Sequence, residues 1–270
     1  MRVRTAVIPC AGKGTRFQPI TRTVPKELLP IVAKPALQLV VEECAGAGID
    51  HVVLVSSHAK PAIAAFALDV TEHMPGMRMS VAYQDEPLGL GHAVGCARAA
   101  VGDEPFAVLL PDELMGDSSL LAQMIDVCER TGGSVVGLKQ VPREEVPAYG
   151  VIDPSGEMNA DGVVAVRTMV EKPSLAEAPS DLIIIGRYVL TNDVFDLIDQ
   201  VQPGAKGEIQ LTDALRVQAA SGPFHGVLSR IQRHDTGNPL GWLTAVVDIA
   251  LDDPTLSAPF ESWLRERLAP

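Results

Sequence analysis

Five short apolar runs, at residues 4–10, 51–57, 79–84, 105–112 and 133–139, alternate with longer stretches of helical spacing. Each run is too short for a helix and rich in Val, Ile and Leu, which marks a strand. VVLVS (52–56) and FAVLL (106–110) are apolar at successive positions, so both faces of these strands need cover. Strands of that kind sit in parallel sheets with helices above and below. The stretches PALQLVVEECAGAG (35–48), KPAIAAFAL (60–68), GHAVGCARAAV (91–101) and SSLLAQMIDVCERTG (118–132) supply those helices. Pro35 suits a first helical turn, and Gly46 and Gly48 suit its end.

The second half reads differently. YGVIDP (149–154), VVAVRTMVEKP (163–173) and DLIIIGRYVL (181–190) are strand-like with no helix between them. They predict a mixed or antiparallel extension, followed by C-terminal helices near 192–201, 208–221 and 239–252. No internal repeat, low-complexity tract or linker divides the chain. The expected fold is α/β, one composite domain over 1–270 with a Rossmann-like, mostly parallel central sheet flanked by helices.

Charge singles out one loop. The formal net charge is −12, yet residues 1–34 hold seven of the 22 Lys and Arg and a single acid, Glu27. Lys13, Arg16, Arg22 and Lys26 ring a loop with Gly12 and Gly14, directly after the first strand, where open α/β sheets bind ligands. Backbone N–H groups combined with Lys and Arg are how proteins hold phosphates. Familiar phosphate motifs do not account for it. GKGTRF lacks the third glycine of a dinucleotide fingerprint, and no GxxxxGK[ST] is present. Overall acidity argues against a nucleic acid polymer as partner. No apolar run approaches the ~18 residues of a membrane span. Lys13 interrupts the first apolar stretch before it could form a signal-peptide core. Four scattered cysteines, without a CxxC pair, suit reduced thiols in the cytoplasm.

AGKGTRFQPITRTVPKELLPI (11–31) resembles the signature of the sugar-1-phosphate nucleotidyltransferases. Seven later segments follow in that family's order: QDEPLGLGHAV (84–94), LLPDE (109–113), AYGVID (148–153), VEKP (170–173), GRYVL (186–190), GEIQLTDAL (207–215) and HDTGN (234–238). PKELLP, GLGHAV and LPDE are closer to its UTP-using, glucose-1-phosphate branch than to the thymidylyltransferases. The resemblance implies UMP transfer from UTP to glucose 1-phosphate, releasing pyrophosphate. It divides the chain into a nucleotide-binding half, 1–140, and a sugar-phosphate half, 141–270.

The resemblance also assigns residues. Gly12, Gly14, Thr15 and Arg16 wrap the triphosphate, while Ala11, Gly12 and Gln84 read the base. Gly89 and Gly91 let the backbone approach base and ribose. Arg16, Lys26 and Asp112 carry catalysis, and Asp112 with Asp235 holds Mg²⁺. Gly150, Glu171, Lys172 and Gly186 line the sugar-phosphate pocket, with Glu208 near it. His92 is read as capping or packing its helix start. Gln84 is expected to accept from uracil N3–H and to donate to a carbonyl. No general base is required, because a phosphomonoester with a second pKa of ~6 is already ionised at neutral pH. A homo-oligomer is expected. The chain departs from the branch at 58–78, short and poor in Lys where the uridylyltransferases usually carry a long charged helical insertion. Its compactness resembles the thymidylyltransferases, so another nucleotide or sugar is the alternative. A non-catalytic nucleotide-sugar-binding regulator is the third reading.

Overall fold

The computed structural model describes residues 2–204 and 207–269. The strand β1 (Thr5–Pro9) leads into a loop of three 3-10 turns and the small ladder of β2 (Pro30–Ile31) and β3 (Lys34–Pro35). Then come α1 (Ala36–Gly46), β4 (His51–Ser56), α2 (Pro61–His73), β5 (Arg78–Tyr83), α3 (Leu90–Cys96), α4 (Arg98–Val101) and β6 (Phe106–Leu109). The middle of the chain forms β7 (Glu113–Met115), α5 (Ser119–Thr131), β8 (Ser134–Gln140), β9 (Gly150–Pro154), β10 (Val163–Glu171) and β11 (Leu182–Leu190). It ends with α6 (Val194–Ile198), α7 (Leu211–Ser221), β12 (Phe224–Leu228), β13 (Arg233–Asp235), α8 (Pro239–Asp252) and α9 (Ser257–Leu268).

Nine strands form one sheet in the order β5-β4-β1-β6-β11-β8-β12-β10-β9. The first four are mutually parallel. The doubly apolar strands have the cover they require. Ala6, Ile8, Val52 and Leu54 pack on α1, α2 and α5, whereas Val7, Val53, Val55 and Val108 face α3, α6 and α7. The antiparallel part is not merely appended at one edge. The strand β11 is wedged between β6 and β8, antiparallel to both. Beyond β8 lie β12, parallel to it, and then the antiparallel β10 and β9. No helix among the described residues is long and apolar enough to cross a membrane.

Several elements differ from the sequence expectation. The helix expected over 91–101 breaks at Ala97 (φ −85°, ψ −8°), where the sequence carries no breaker. The one expected over 60–68 runs on to His73, because Val70 continues the buried stripe of Ile63, Phe66 and Ala67. The strand β12 was not anticipated. Its Gly226 would, with a Cβ, come within 2.3 Å of Leu138 Cδ1, so the glycine that weakens the strand signal is what lets it pack. The ladder of β7 and β13, and α9, were also unforeseen.

One feature of β11 sets the site. Its register against β8 slips between Ile185 and Tyr188, leaving Gly186 and Arg187 as a bulge. The fully buried Arg187 guanidinium grips the Glu43 carboxylate of α1 at 2.9 and 2.7 Å. It also donates to the carbonyls of Gly186, Leu110 and Glu113 at 3.0, 3.1 and 2.6 Å. Removing one member of a buried pair strands the other charge, at a cost of about 3–5 kcal/mol. Glu43→Gln is therefore expected to lower the urea unfolding free energy by about that amount. An unchanged midpoint would show that the pair is not a structural anchor.

Candidate active site

After β1 the chain continues through Cys10, whose N–H bonds Val55 O at 2.7 Å, into the glycine loop. Gly14 sits at φ +61°, where a Cβ would lie 3.1 Å from Thr21 Cγ2 and 3.3 Å from Lys26 Cβ. Its carbonyl accepts from Thr21 Oγ1 at 2.8 Å. The loop thereby folds back over Lys26.

Two of the seven N-terminal cations are engaged elsewhere: Arg4 pairs with Asp50 and Lys34 with Glu42. Glu27 does not neutralise the rest. It is buried beneath the loop against Lys60, 3.0 Å away, and Lys60 also donates to Cys10 O at 2.6 Å. Burial raises the Glu27 carboxyl above its usual range, against the opposing pull of Lys60 and Lys26.

The carboxylates of Asp112 and Asp235, expected to hold a metal, converge. β6 runs into a turn carrying Asp112, whose carbonyl accepts from Thr236 N at 2.7 Å and Thr236 Oγ1 at 3.0 Å. The ladder of β7 and β13 places Asp235 opposite Glu113. Around Gly237, the point where a Cβ would stand lies 2.9 Å from Asp235 Oδ1, 3.2 Å from Asp112 Oδ2 and 3.7 Å from Arg16 Nη1. Lys26 Nζ bonds Asp112 Oδ2 at 2.5 Å. Burial alone would raise the Asp112 carboxyl, but Lys26, with Arg16 beyond it, holds it below the usual carboxylate range. Among the described residues no three or more His, Cys, Asp or Glu side chains converge as a cage. The two carboxylates instead suit a cation such as Mg²⁺, which takes one or two protein carboxylates and completes its shell with phosphate oxygens and water.

Two cavities flank this point. One of about 230 Å³ is lined by Gly14, Thr15, Arg16, Phe17, Lys26 and Gly237. Another, of about 390 Å³, includes Ala11, Gly12, Gln84, Gly89, Asp112 and Glu208, with Lys26 again at its wall. Lys26 thus joins a cationic phosphate-sized space to one large enough for a nucleoside. Glu208, expected near the sugar pocket, lines this second cavity, as does Gln210, which bonds it at 2.8 Å and which the sequence did not single out.

The two later glycines work against protein rather than open space. A Cβ on Gly89 (φ +102°) would be 2.6 Å from Ile209 O, and one on Gly91 2.9 Å from the same oxygen. Leu88 O accepts from Ile209 N at 2.7 Å, and Gly91 N donates to Ile209 O at 2.9 Å. Gly186 is buried with its open face filled by Leu110, its carbonyl accepting from Leu110 N at 2.8 Å.

The residues expected at the sugar form their own group. Gly150 pairs with Glu171 across β9 and β10, and Glu171 accepts from Thr212 Oγ1 at 2.7 Å. Thr212 was missed, although it lies inside GEIQLTDAL. Lys172 holds φ +47°, strained for a lysine, and turns its ammonium to within 3.1 Å of Glu171. Residues 208–212 run from the nucleotide cavity to this carboxylate.

Residues 5–250 match the nucleotidyl transferase family. The chain belongs to that family. It is 41% identical to the UTP–glucose-1-phosphate uridylyltransferase YngB of Bacillus subtilis, over 98% of this chain and 95% of the relative. A structure of UDP-glucose pyrophosphorylase complexed with UDP-glucose superposes with a TM-score of 0.86 at 36% identity, covering 93% of this chain and 100% of that one. The UTP-bound enzyme of Acinetobacter baumannii gives 0.87 at 32% identity, covering 98% and 99%.

In this nucleotidyl transferase the positive-φ Gly89 lets residues 208–210 close the larger cavity. Gly89→Ala is expected to weaken nucleoside triphosphate binding about tenfold, since backbone strain there amounts to ~1–3 kcal/mol. Calorimetry showing wild-type affinity would remove segment 208–210 from the binding site.

Proposed function

We propose that the chain transfers UMP from UTP to glucose 1-phosphate, giving UDP-glucose and pyrophosphate. The observation that carries this reading is Lys26, which lines both cavities while bonded to Asp112. The names of its relatives support the choice of substrates. The sugar phosphate dianion is the nucleophile and attacks the α-phosphorus in line, so no side chain has to remove a proton. The barrier is repulsion between polyanions, and the loop meets it with N–H groups, Arg16 and Lys26. Asp112 and Asp235 would hold Mg²⁺, which would supply charge neutralisation for the triphosphate oxygens. Glu171 accepts hydrogen bonds from sugar hydroxyls, and Lys172, its ammonium largely exposed, meets the sugar phosphate.

A second reading, thymidylyl rather than uridylyl transfer, is favoured by one observation. Between β4 and β5 the chain holds only α2, the compact form that resembles the thymidylyltransferases. Self-association belongs to the proposal too: α8 and α9 expose Leu240, Leu243, Trp263 and Leu268. So does a cytoplasmic setting, where four free cysteines, three of them buried, stay reduced.

Pyrophosphate release across a grid of triphosphates and sugar 1-phosphates tests the substrates. The expected order of kcat/KM with glucose 1-phosphate is UTP above dTTP, with CTP, ATP and GTP far below. The 5-methyl separates the first two by only about 10–200-fold. Preference for a purine, or tenfold for dTTP over UTP, would overturn the uridylyl reading. Lys26→Ala is expected to lower kcat/KM by about 10²–10⁴ while leaving the fold intact. Activity within threefold of wild type would exclude Lys26 from the mechanism.

A further inference from the structure

Gln84 follows β5, with its amide buried at the wall of the nucleotide cavity. One amide atom lies 3.1 Å from the carbonyl oxygen of Gly89. A carbonyl only accepts, so that atom is the N–H₂ group, Nε2. The same nitrogen lies 2.9 Å from Nδ1 of His92, in the first turn of α3. An amide nitrogen cannot accept, so Nδ1 of His92 is the bare, accepting nitrogen and its ring proton resides on Nε2. The nearest partner of His92 Nε2 is Cys96 Sγ, at 3.9 Å one turn further on.

Both amide hydrogens of Gln84 are therefore engaged inside the protein. This corrects the sequence expectation that Gln84 both accepts from the base and donates to it. Its Oε1 has no hydrogen-bond partner among the described residues and is not among the buried unpaired atoms, so it opens on the cavity as a pure acceptor.

Building on the uridylyl reading, we infer that His92 is a positioning residue that sets base choice by locking the Gln84 amide. A fixed acceptor bonds the N3–H of uracil or thymine and opposes the N3 lone pair of cytosine. Turning the amide over to suit cytosine would break the bond to the Gly89 carbonyl and force the His92 ring proton from Nε2 to Nδ1, away from Cys96. Without the histidine acceptor only the bond to Gly89 resists that turn.

The test compares kcat/KM for UTP and CTP, with Kd from calorimetry where turnover is slow, in wild type, His92→Phe and His92→Asn. Phe keeps ring bulk without an acceptor, and Asn returns an oxygen close to where Nδ1 stands. The expected result is a fall of about tenfold in the UTP:CTP ratio for His92→Phe, the worth of one hydrogen bond. Asn should restore most of it, and KM for glucose 1-phosphate should not move. If Phe does not fold, His92→Ala serves in its place. Equal losses with both nucleotides, leaving the ratio within twofold of wild type, would reduce His92 to packing and overturn the inference. A wild-type enzyme that itself prefers CTP or a purine would instead overturn the uridylyl reading on which the inference stands.

Discussion

Everything at the carboxylate end of the site hangs on one buried guanidinium. Arg187 donates to the carbonyls of Leu110 and Glu113, the residues that bracket Pro111 and Asp112, so the turn bearing Asp112 is clamped on both sides. A charge with no access to water would be costly alone, and Glu43, reaching over from α1, neutralises it. A second pair continues the frame. Arg233 of β13 bonds both oxygens of Glu113, which binds the strand that ends at Asp235 to the strand following Asp112. Burial pushes the Glu113 carboxyl up, and Arg233 opposes that rise. Neither pair faces the cavities. Their effect is to give the Asp112 and Asp235 carboxylates a rigid relative position, as the proposed metal site and in-line displacement would both need.

The glycine loop carries the complementary feature, a local excess of cations. Lys13, Arg16, Arg22 and Lys26 could be recognised in the sequence because the excess of cations is local and the chain otherwise acidic. What the sequence hides is the fate of Glu27. Read as a neighbour of Lys26 it should cancel one charge; in the fold it is buried and its carboxylate bonds Lys60, at the start of α2. Likewise the Lys26–Asp112 bond joins residues 86 positions apart and has no trace in local pattern.

That contrast explains what was legible. The parallel half of the sheet could be read because strands covered on both faces are unbroken apolar runs. The strand β11 was visible for the same reason, but not its place between β6 and β8, since strand order is decided by pairings between distant segments. Weak strands stay invisible: FHGVL in β12 is short and carries the glycine that its packing on Leu138 demands. Candidate residues inside the glycine loop and at the end of β6 could be proposed from the sequence because their chemistry is local. Thr212 and Lys60 escaped because each acts on a partner from another element, and Gln210, bonded to Glu208 two residues away, because its residue type alone signals nothing.

The segment 208–212 shows why such residues matter. Its centre, Ile209, is stitched by two backbone hydrogen bonds to Leu88 and Gly91, on either side of the glycine that borders the base cavity. One residue away on each side, Glu208 and Gln210 line that cavity, and two residues further Thr212 holds Glu171. A stretch of five residues therefore connects the Glu171 carboxylate directly to the loop at residues 88–91. In-line attack requires the sugar phosphate and the α-phosphorus to be placed to within a fraction of an ångström. A short rigid connection of this kind meets that requirement better than two pockets built on independent loops. It also gives the glycines at 89 and 91 a physical reason: only bare Cα atoms let the two backbones come this close.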